Sequence, residues 1–300
     1  MSAMSAHPTV SVVIPLYNAQ DVIRETIHTV LNQTWKDYEI VVVDDGSHDG
    51  SGHIIKEFGE RVRYVRQENG GVAKARNRGI AESTGQYIAL LDHDDLWDPA
   101  KIEKQIAVLD TRPEVGMVIS SVVHIDRNRK HLGGADSPYK PDDEFANLFV
   151  KDYQPTPSAA MIRRTVLQQV GGFDERFHSA GLDDHEFWTR ISDVTEIANI
   201  DEPLTFHRNR ETKPREIALR HRGLLIDILM KRYGHDARKR RYLLRQKAEY
   251  LADMGKYAVG QGDFQQGRGY FLAGLGISLL VSWNGKALWR CLSRLVRSYI

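Results

Sequence analysis

The chain of 300 residues contains a single cysteine, Cys291, so it can form no internal disulfide and no zinc site built from several thiolates. It also lacks an uncharged, predominantly apolar run of the ~20 residues that a membrane-crossing helix needs. Residues 1–20 carry no charge, but Pro8, Pro15 and many polar side chains interrupt them. Residues 269–285 are a second uncharged stretch, 17 residues long and diluted by Gly, Ser and Asn. Residues 1–8 hold neither a positive segment nor an apolar run, so no secretory signal is expected there. Two phosphate cradles are missing as well. No Gly-x-Gly-x-x-Gly follows the first strand signal, and no Gly-x-x-x-x-Gly-Lys-Ser/Thr occurs anywhere. These absences describe a soluble, cytoplasmic chain, with residues 269–285 held open as an interfacial element.

What is present is an ordinary globular composition, 41% hydrophobic and 27% charged, which excludes a disordered chain. The length suits one large domain with an appendage. The net charge of +1 argues against a nucleic-acid partner, but it hides two opposite fields. Residues 1–212 hold 23 basic and 34 acidic side chains, a net of −11; residues 213–300 hold 18 and 6, a net of +12. A domain boundary is therefore expected near 212, between a catalytic domain at 1–212 and a basic α-helical region at 213–300.

The first domain alternates strand and helix signals. Short apolar, β-branched runs at 10–14, 40–43, 62–65, 87–91 and 115–120 read as strands buried on both faces, with further candidates at 158–162 and 196–200. Helical spacing of apolar residues falls between them: Ile23, Ile27 and Val30; Ile54, Ile55 and Phe58; Ile102, Ile106 and Leu109. Asp98-Pro99 supplies a start signal for the last of these. This alternation predicts an α/β, Rossmann-like, mostly parallel sheet with helices on both faces. Residues 124–157 are weakly patterned, with a short helix expected near 145–150. In the second region, Gly262-Asp263-Phe264 separates two helical stretches like the turn of one helix-turn-helix unit.

Ligands of such sheets sit beyond the carboxyl ends of the strands. Pro15-Leu16-Tyr17-Asn18 follows the first strand, Asp44-Asp45-Gly46-Ser47 the second and Asp92-His93-Asp94-Asp95 the fourth. Carboxylates converging on one rim repel each other unless a cation or a donor-rich ligand lies among them. Mg2+ and Mn2+ prefer oxygen ligands and bridge protein carboxylates to substrate phosphates, which is what an Asp-x-Asp turn can hold.

Six motifs in order resemble the family 2 glycosyltransferases of GT-A fold over residues 9–210. They are Ser11-Val12-Val13-Ile14-Pro15-Leu16-Tyr17-Asn18, Val43-Asp44-Asp45-Gly46-Ser47, Asn69-Gly70-Gly71 with Ala75-Arg76-Asn77-Arg78-Gly79, Leu91-Asp92-His93-Asp94-Asp95, Gly171-Gly172-Phe173-Asp174-Glu175, and Asp183-Asp184-His185-Glu186-Phe187-Trp188-Thr189-Arg190. The resemblance implies inverting transfer of a sugar from a nucleotide-sugar, UDP- or dTDP-linked. Carried over, Pro15, Tyr17 and Asn18 line the base pocket, with Tyr17 against the nucleobase. Asp45, or alternatively Asp44, accepts a hydrogen bond from the base. Asp92 lies by the ribose and diphosphate, and Asp94 is the principal metal ligand. Arg76 faces the diphosphate, and charge alone adds Lys74 beside it. Asp184 matches the proposed general base, and Asp183 replaces the glutamate that usually precedes it. His93 is expected to line the pocket, and Trp188 to lie in the core or wall the acceptor pocket.

The match departs at its end, where His207-Arg208-Asn209-Arg210 stands in place of Tyr-Arg-x-His. Either His207 works near the metal from a shifted position, or Arg210 replaces it with a fixed charge that grips phosphate. In the basic tail, Lys286, Arg290, Arg294 and Arg297 share one face of a helix, with Trp289, Leu292, Val296 and Tyr299 on the other. That is the pattern of an interfacial helix on an anionic membrane, and Arg238-Lys239-Arg240-Arg241 adds to it. It suits a peripheral enzyme acting on a glycan or lipid-linked acceptor. The rival readings are a sugar nucleotidyltransferase, which usually carries a Gly-rich basic loop after the first strand, and a non-catalytic nucleotide- or glycan-binding protein, which needs neither Asp94 nor Asp184.

Overall fold

A computed structural model of the chain describes residues 8–135, 155–177, 182–208 and 215–281. Strands are β1 (Val10–Leu16), β2 (Tyr38–Asp44), β3 (Arg63–Arg66), β4 (Tyr87–Leu90), β5 (Leu96–Trp97), β6 (Val115–Ile125), β7 (His131–Ala135), β8 (Met161–Arg163) and β9 (Glu196–Arg208). Helices between them are α1 (Ile23–Leu31), α2 (Ser51–Lys56), α3 (Val72–Glu82), α4 (Lys101–Thr111), α5 (Arg164–Val170) and α6 (Asp183–Ser192). After β9 come α7 (Arg215–Tyr233), α8 (Ala237–Gly260) and α9 (Phe264–Val281). The chain divides into two compact units, one of residues 1–179 and 183–211, the other of 180–182 and 212–300.

The strands of the first unit form one mixed sheet in the order β3-β2-β1-β4-β8-β6-β9-β5, with β7 pairing β6. The β3-β2-β1-β4 half is parallel throughout, as the strand–helix alternation predicts. The other half mixes senses: β8 runs antiparallel to both β4 and β6, β9 is parallel to β6, and β5 is antiparallel to β9. The parallel sense of the sequence reading thus runs through the first half and returns at β6–β9, with antiparallel pairs between and beyond. The chain reaches β8 by a long excursion rather than by a short βα crossover, so β8 need not enter in the parallel sense.

Both sheet faces are covered, which is why the strands read as unbroken apolar runs. On one face Val10, Val12, Ile14 and Leu16 pack against Ile23, Ile27 and Val30 of α1 and Ile102, Ile106 and Leu109 of α4. On the other, Val13, Ile88, Leu90 and Met117 pack against Ala73 of α3 and Phe187, Trp188 and Ile191 of α6. Helix α3 lies especially close to the sheet: a Cβ on Gly79 would stand 2.3 Å from Val13 Cγ1. That approach admits no side chain at 79.

Some elements differ from expectation. Strands β5 and β7 and helix α3 carry no clear period and were not anticipated. Asp98 does not cap α4 directly; the helix begins at Lys101, and Asp98 Oδ1 accepts from Ala100 N at 2.9 Å. Residues 145–150 and the tail beyond 281 lie outside the described residues, as does Arg210. In the second unit, α8 and α9 form an antiparallel pair around Gly262, which has φ +84°, with Phe271 seated on Gly255 and Val259 on Gly267. Leu272 and Leu279 of α9 are exposed. Among the described residues no helix is long and apolar enough to cross a membrane.

One core residue has a measurable signature. Lys101 is fully buried, donates to Gln105 Oε1 at 2.7 Å and places Nζ 4.2 Å from the centre of the Trp97 ring. Burial pushes its ammonium well below the ordinary 10.5. Between the lowered folded value and 10.5 the unfolded chain binds more protons, so stability rises with pH. Thermal melts at pH values approaching 10.5 from below should show this rise, at most about 1.4 kcal/mol per pH unit, and Lys101→Met should flatten it. An unchanged slope in the variant would remove Lys101 as its source.

Candidate active site

The carboxyl ends of β1, β2 and β4 bring three of the sequence motifs to one rim of the sheet, and the end of β9 joins them. At the β1 end, Tyr17 is 42% exposed and open to a ligand. Asn18 adopts φ 47°, and its Oδ1 accepts from His48 N at 2.9 Å while its own N donates to Ser47 Oγ at 3.1 Å. These bonds staple the loops after β1 and β2 into one wall. Pro15 is buried within β1, and its carbonyl accepts from His93 Nδ1 at 3.0 Å. His93 therefore ties the acidic turn to β1.

Asp44 and Asp45, expected to meet a nucleobase, turn inward. Asp44 is fully buried; its Oδ1 accepts from Ser47 N at 2.7 Å, and its Oδ2 takes the Tyr64 hydroxyl and Arg66. Asp45 accepts from Gln67 Nε2 at 2.8 Å and from the main-chain N of Gly70 and Gly71 at 2.9 and 2.8 Å. Unpaired main-chain N–H groups ahead of α3 attract a carboxylate more strongly than water does, so Asp45 orders the glycine loop. Lys74 is exposed on α3, with its stem over Gly70.

Arg76 lies deepest. Its Nη2 donates to Asp92 Oδ1 at 2.7 Å and its Nη1 to Asp183 Oδ2 at 2.5 Å, and its guanidinium carbon stands 5.3 Å from the Phe173 ring centre. Burial works against its charge, but the two carboxylates outweigh it and raise its pKa. The guanidinium expected to face a diphosphate is instead clasped between two acids of this chain. Through it, the turn after β4 and the start of α6 share one cation. Asp183 is buried, whereas Asp184 beside it is half-buried, at the N-terminal turn of α6 where the helix dipole favours a negative charge. Burial pushes both carboxyls above the ordinary 3.8 against the pull of Arg76.

The turn after β4 is fixed from the other side by β9. Asp95 is fully buried and accepts from Ser158 Oγ at 2.5 Å, His207 Nδ1 at 3.2 Å and Arg208 N at 2.9 Å. Burial opposes charge on His207, but the bond to Asp95 and the nearby Asp92 and Asp94 push its pKa up to about 9. Arg208 donates to the Asp94 carbonyl at 2.9 Å and to Glu25 Oε2 at 2.9 Å, locking the turn to α1. Trp188 does not reach the rim: it is fully buried, donates to the Pro155 carbonyl at 2.9 Å and packs on Phe187.

A family model described as "Glycosyl transferase family 2" matches residues 11–171, more than half of the chain. The chain belongs to glycosyltransferase family 2. An uncharacterized glycosyltransferase of Rickettsia typhi, RT0329, is 31% identical over 216 residues, 71% of this chain and 67% of that protein. The putative teichuronic acid biosynthesis glycosyltransferase TuaG of Bacillus subtilis is 42% identical over 109 residues, 35% of this chain and 43% of TuaG. Among solved structures, S. aureus TarS superposes with a TM-score of 0.65 at 17% identity, covering 97% of this chain and 89% of that one, and has also been captured with UDP-GlcNAc. The glycosyltransferase fold is therefore GT-A.

Four residues that order this candidate site are not among the site residues the sequence offers: Asp95, Ser158, Arg208 and Glu25. No local signal marks Ser158 or Glu25; the register of β9 against β5 is what carries Arg208 to Asp94. Removing the shared cation with Arg76→Met leaves the buried Asp183 and the half-buried Asp92 without it. Breaking a buried pair in this way costs about 3–5 kcal/mol, which denaturant unfolding should register. A loss below about 1 kcal/mol would mean that the clasp does not hold the fold.

Proposed function

We propose that this family 2 glycosyltransferase moves a hexose, with inversion, from a UDP- or dTDP-sugar to a hydroxyl of a glycan or lipid-linked acceptor in cell-surface polysaccharide synthesis. The observation that carries the reading is the Arg76 clasp, which joins the acidic turn to Asp183-Asp184. One wall then serves the leaving diphosphate and the other the incoming hydroxyl. The capture of UDP-GlcNAc by TarS supports the donor class, and the printed role of TuaG supports the acceptor class.

Tyr17 offers an aromatic face for the nucleobase, with Asn18 beside it. In the displacement, the acceptor oxygen bonds the anomeric carbon as the bond from that carbon to the diphosphate oxygen breaks. The hydroxyl proton passes to Asp184, the carboxylate of the pair that is not buried in the clasp. Asp183 and Arg76 hold Asp184 in place.

Residues for Mg2+ or Mn2+ would be Asp94 with Asp92, and His207 only once its imidazolium has given up the Nε2 proton. Among the described residues no three His, Cys, Asp or Glu side chains converge on one metal position. A set of one or two carboxylates completed by substrate phosphate is what these ions commonly accept, so the acidic turn fits them only together with a donor. The bound ion would neutralise the departing diphosphate. Peripheral attachment to the inner face of the membrane belongs to the same reading, supported by the +12 charge of residues 213–300 and the exposed Leu272 and Leu279.

A hydrolysis screen across nucleotide-sugars with Mn2+ should single out one donor; a chain that binds but never hydrolyses or transfers is a binding protein. EDTA should stop turnover, and full turnover in EDTA would discard the metal. Asp184→Asn should keep nucleotide binding and lower transfer by about 10²–10⁴-fold. Because burial raises the Asp183-Asp184 pair and the base must be ionised, kcat/KM should fall as pH drops through a value above the ordinary 3.8. This acid limb should disappear in Asp184→Asn.

A further inference from the structure

Sixty-three residues separate Ser158 from Asp95 in the chain, yet one buried hydroxyl holds both ends of the acidic turn. Ser158 Oγ donates to Asp95 Oδ2 at 2.5 Å and accepts from Asp92 N at 3.0 Å. Ser158 is itself fixed: its carbonyl accepts from Trp97 Nε1 at 2.8 Å and from Thr205 Oγ1 at 3.3 Å. It has no exposure, so it touches no ligand. The Oδ2 that it engages is the same atom that receives His207 Nδ1, while Asp95 Oδ1 receives Arg208 N.

The consequence is geometric. A carboxylate free to rotate about χ2 presents either oxygen to either donor. With Ser158 on Oδ2 and a main-chain N–H on Oδ1, the Asp95 plane is set. The plane sets the His207 ring, because Nδ1 must aim at Oδ2, and this leaves Nε2 on the far side of the ring. Histidines that serve metals or anions are typically oriented by a carboxylate on their other nitrogen, and loss of such a partner costs about 10–100-fold in affinity or activity.

We propose that Ser158 is a positioning residue for the diphosphate side of the site: through Asp95 it fixes the ring of His207, and through Asp92 N it fixes the first acid of the Asp-x-Asp turn. It rests on the donor-site reading above. It adds a residue from the segment before β8 whose role is orientation rather than contact.

The test compares wild type with Ser158→Ala and, as a second perturbation of the same link, Asp95→Asn. The first readout needs no donor. A Nδ1–H bonded to a buried carboxylate gives a low-field proton resonance, assigned to His207 by its loss in His207→Gln. It should vanish or move upfield in Ser158→Ala while circular dichroism stays that of wild type. The second readout is Mn2+ binding in the presence of UDP, which should weaken about 10–100-fold, with donor KM rising and acceptor KM unchanged. Ser158→Thr, which restores the hydroxyl, should recover both. If Ser158→Ala fails to fold, Ser158→Cys, which keeps the size and weakens the donor, reads the same His207 resonance, and a wild-type resonance there with wild-type Mn2+–UDP affinity overturns the proposal equally. A folded Ser158→Ala protein with the wild-type resonance and wild-type Mn2+–UDP affinity would overturn the proposal. If wild type hydrolyses no nucleotide-sugar but its His207 resonance still depends on Ser158, the donor reading falls and the orientation of His207 stands.

Discussion

The site depends first on a buried guanidinium. Arg76 is too deep for water to stabilise its charge, so it is held charged by Asp92 and Asp183, which lie 91 residues apart in the chain and meet only across it. Two carboxylates that close would repel each other; the cation turns that repulsion into a link. Asp92 thereby enters the rim with its direction set, and Asp183 pins the first turn of α6, leaving Asp184 half-buried beside it. The two adjacent acids thus differ in burial, Asp183 anchored in the clasp and Asp184 half-buried beside it.

A second constraint works from the opposite edge. The end of β9 brings His207 and Arg208 onto Asp95 and the Asp94 carbonyl. The acidic turn is thus gripped by α3 on one flank and β9 on the other, with His93 holding it to β1. Carboxylates fixed in this way are organised by this chain's own donors, Arg76, Ser158, His207 and Arg208, rather than by a ligand.

Much of this was legible in the sequence. The parallel half of the sheet follows from apolar runs with helical spacing between them, and the rim follows from what stands after each run. Family membership was legible because six short motifs keep their order. Other features depend on partners that no local pattern discloses. Asp44 and Asp45 stand as acids at a strand end in the sequence, and only the fold shows Tyr64 and the N–H groups of Gly70 and Gly71 bonded to them. Arg76 looks like a phosphate-facing cation until Asp183 arrives. Strand β5 has two residues, too few to express a period, and it exists because β9 pairs with it. Ser158 is one serine in a polar, proline-containing stretch, and only the fold gives it its neighbours.

The absence of a side chain at Gly79 reaches further than the contact it permits. Gly79 lies one turn after Arg76 on α3, at the point where the helix touches Val13 of β1. The spacing between helix and sheet there sets how far the guanidinium projects toward Asp92. A single methyl at 79 would meet Val13 Cγ1 at 2.3 Å, so helix or strand would have to give way under the turn that carries Arg76. The geometry of the rim is thus calibrated from beneath, by a hydrogen atom in the apolar layer that no substrate ever approaches.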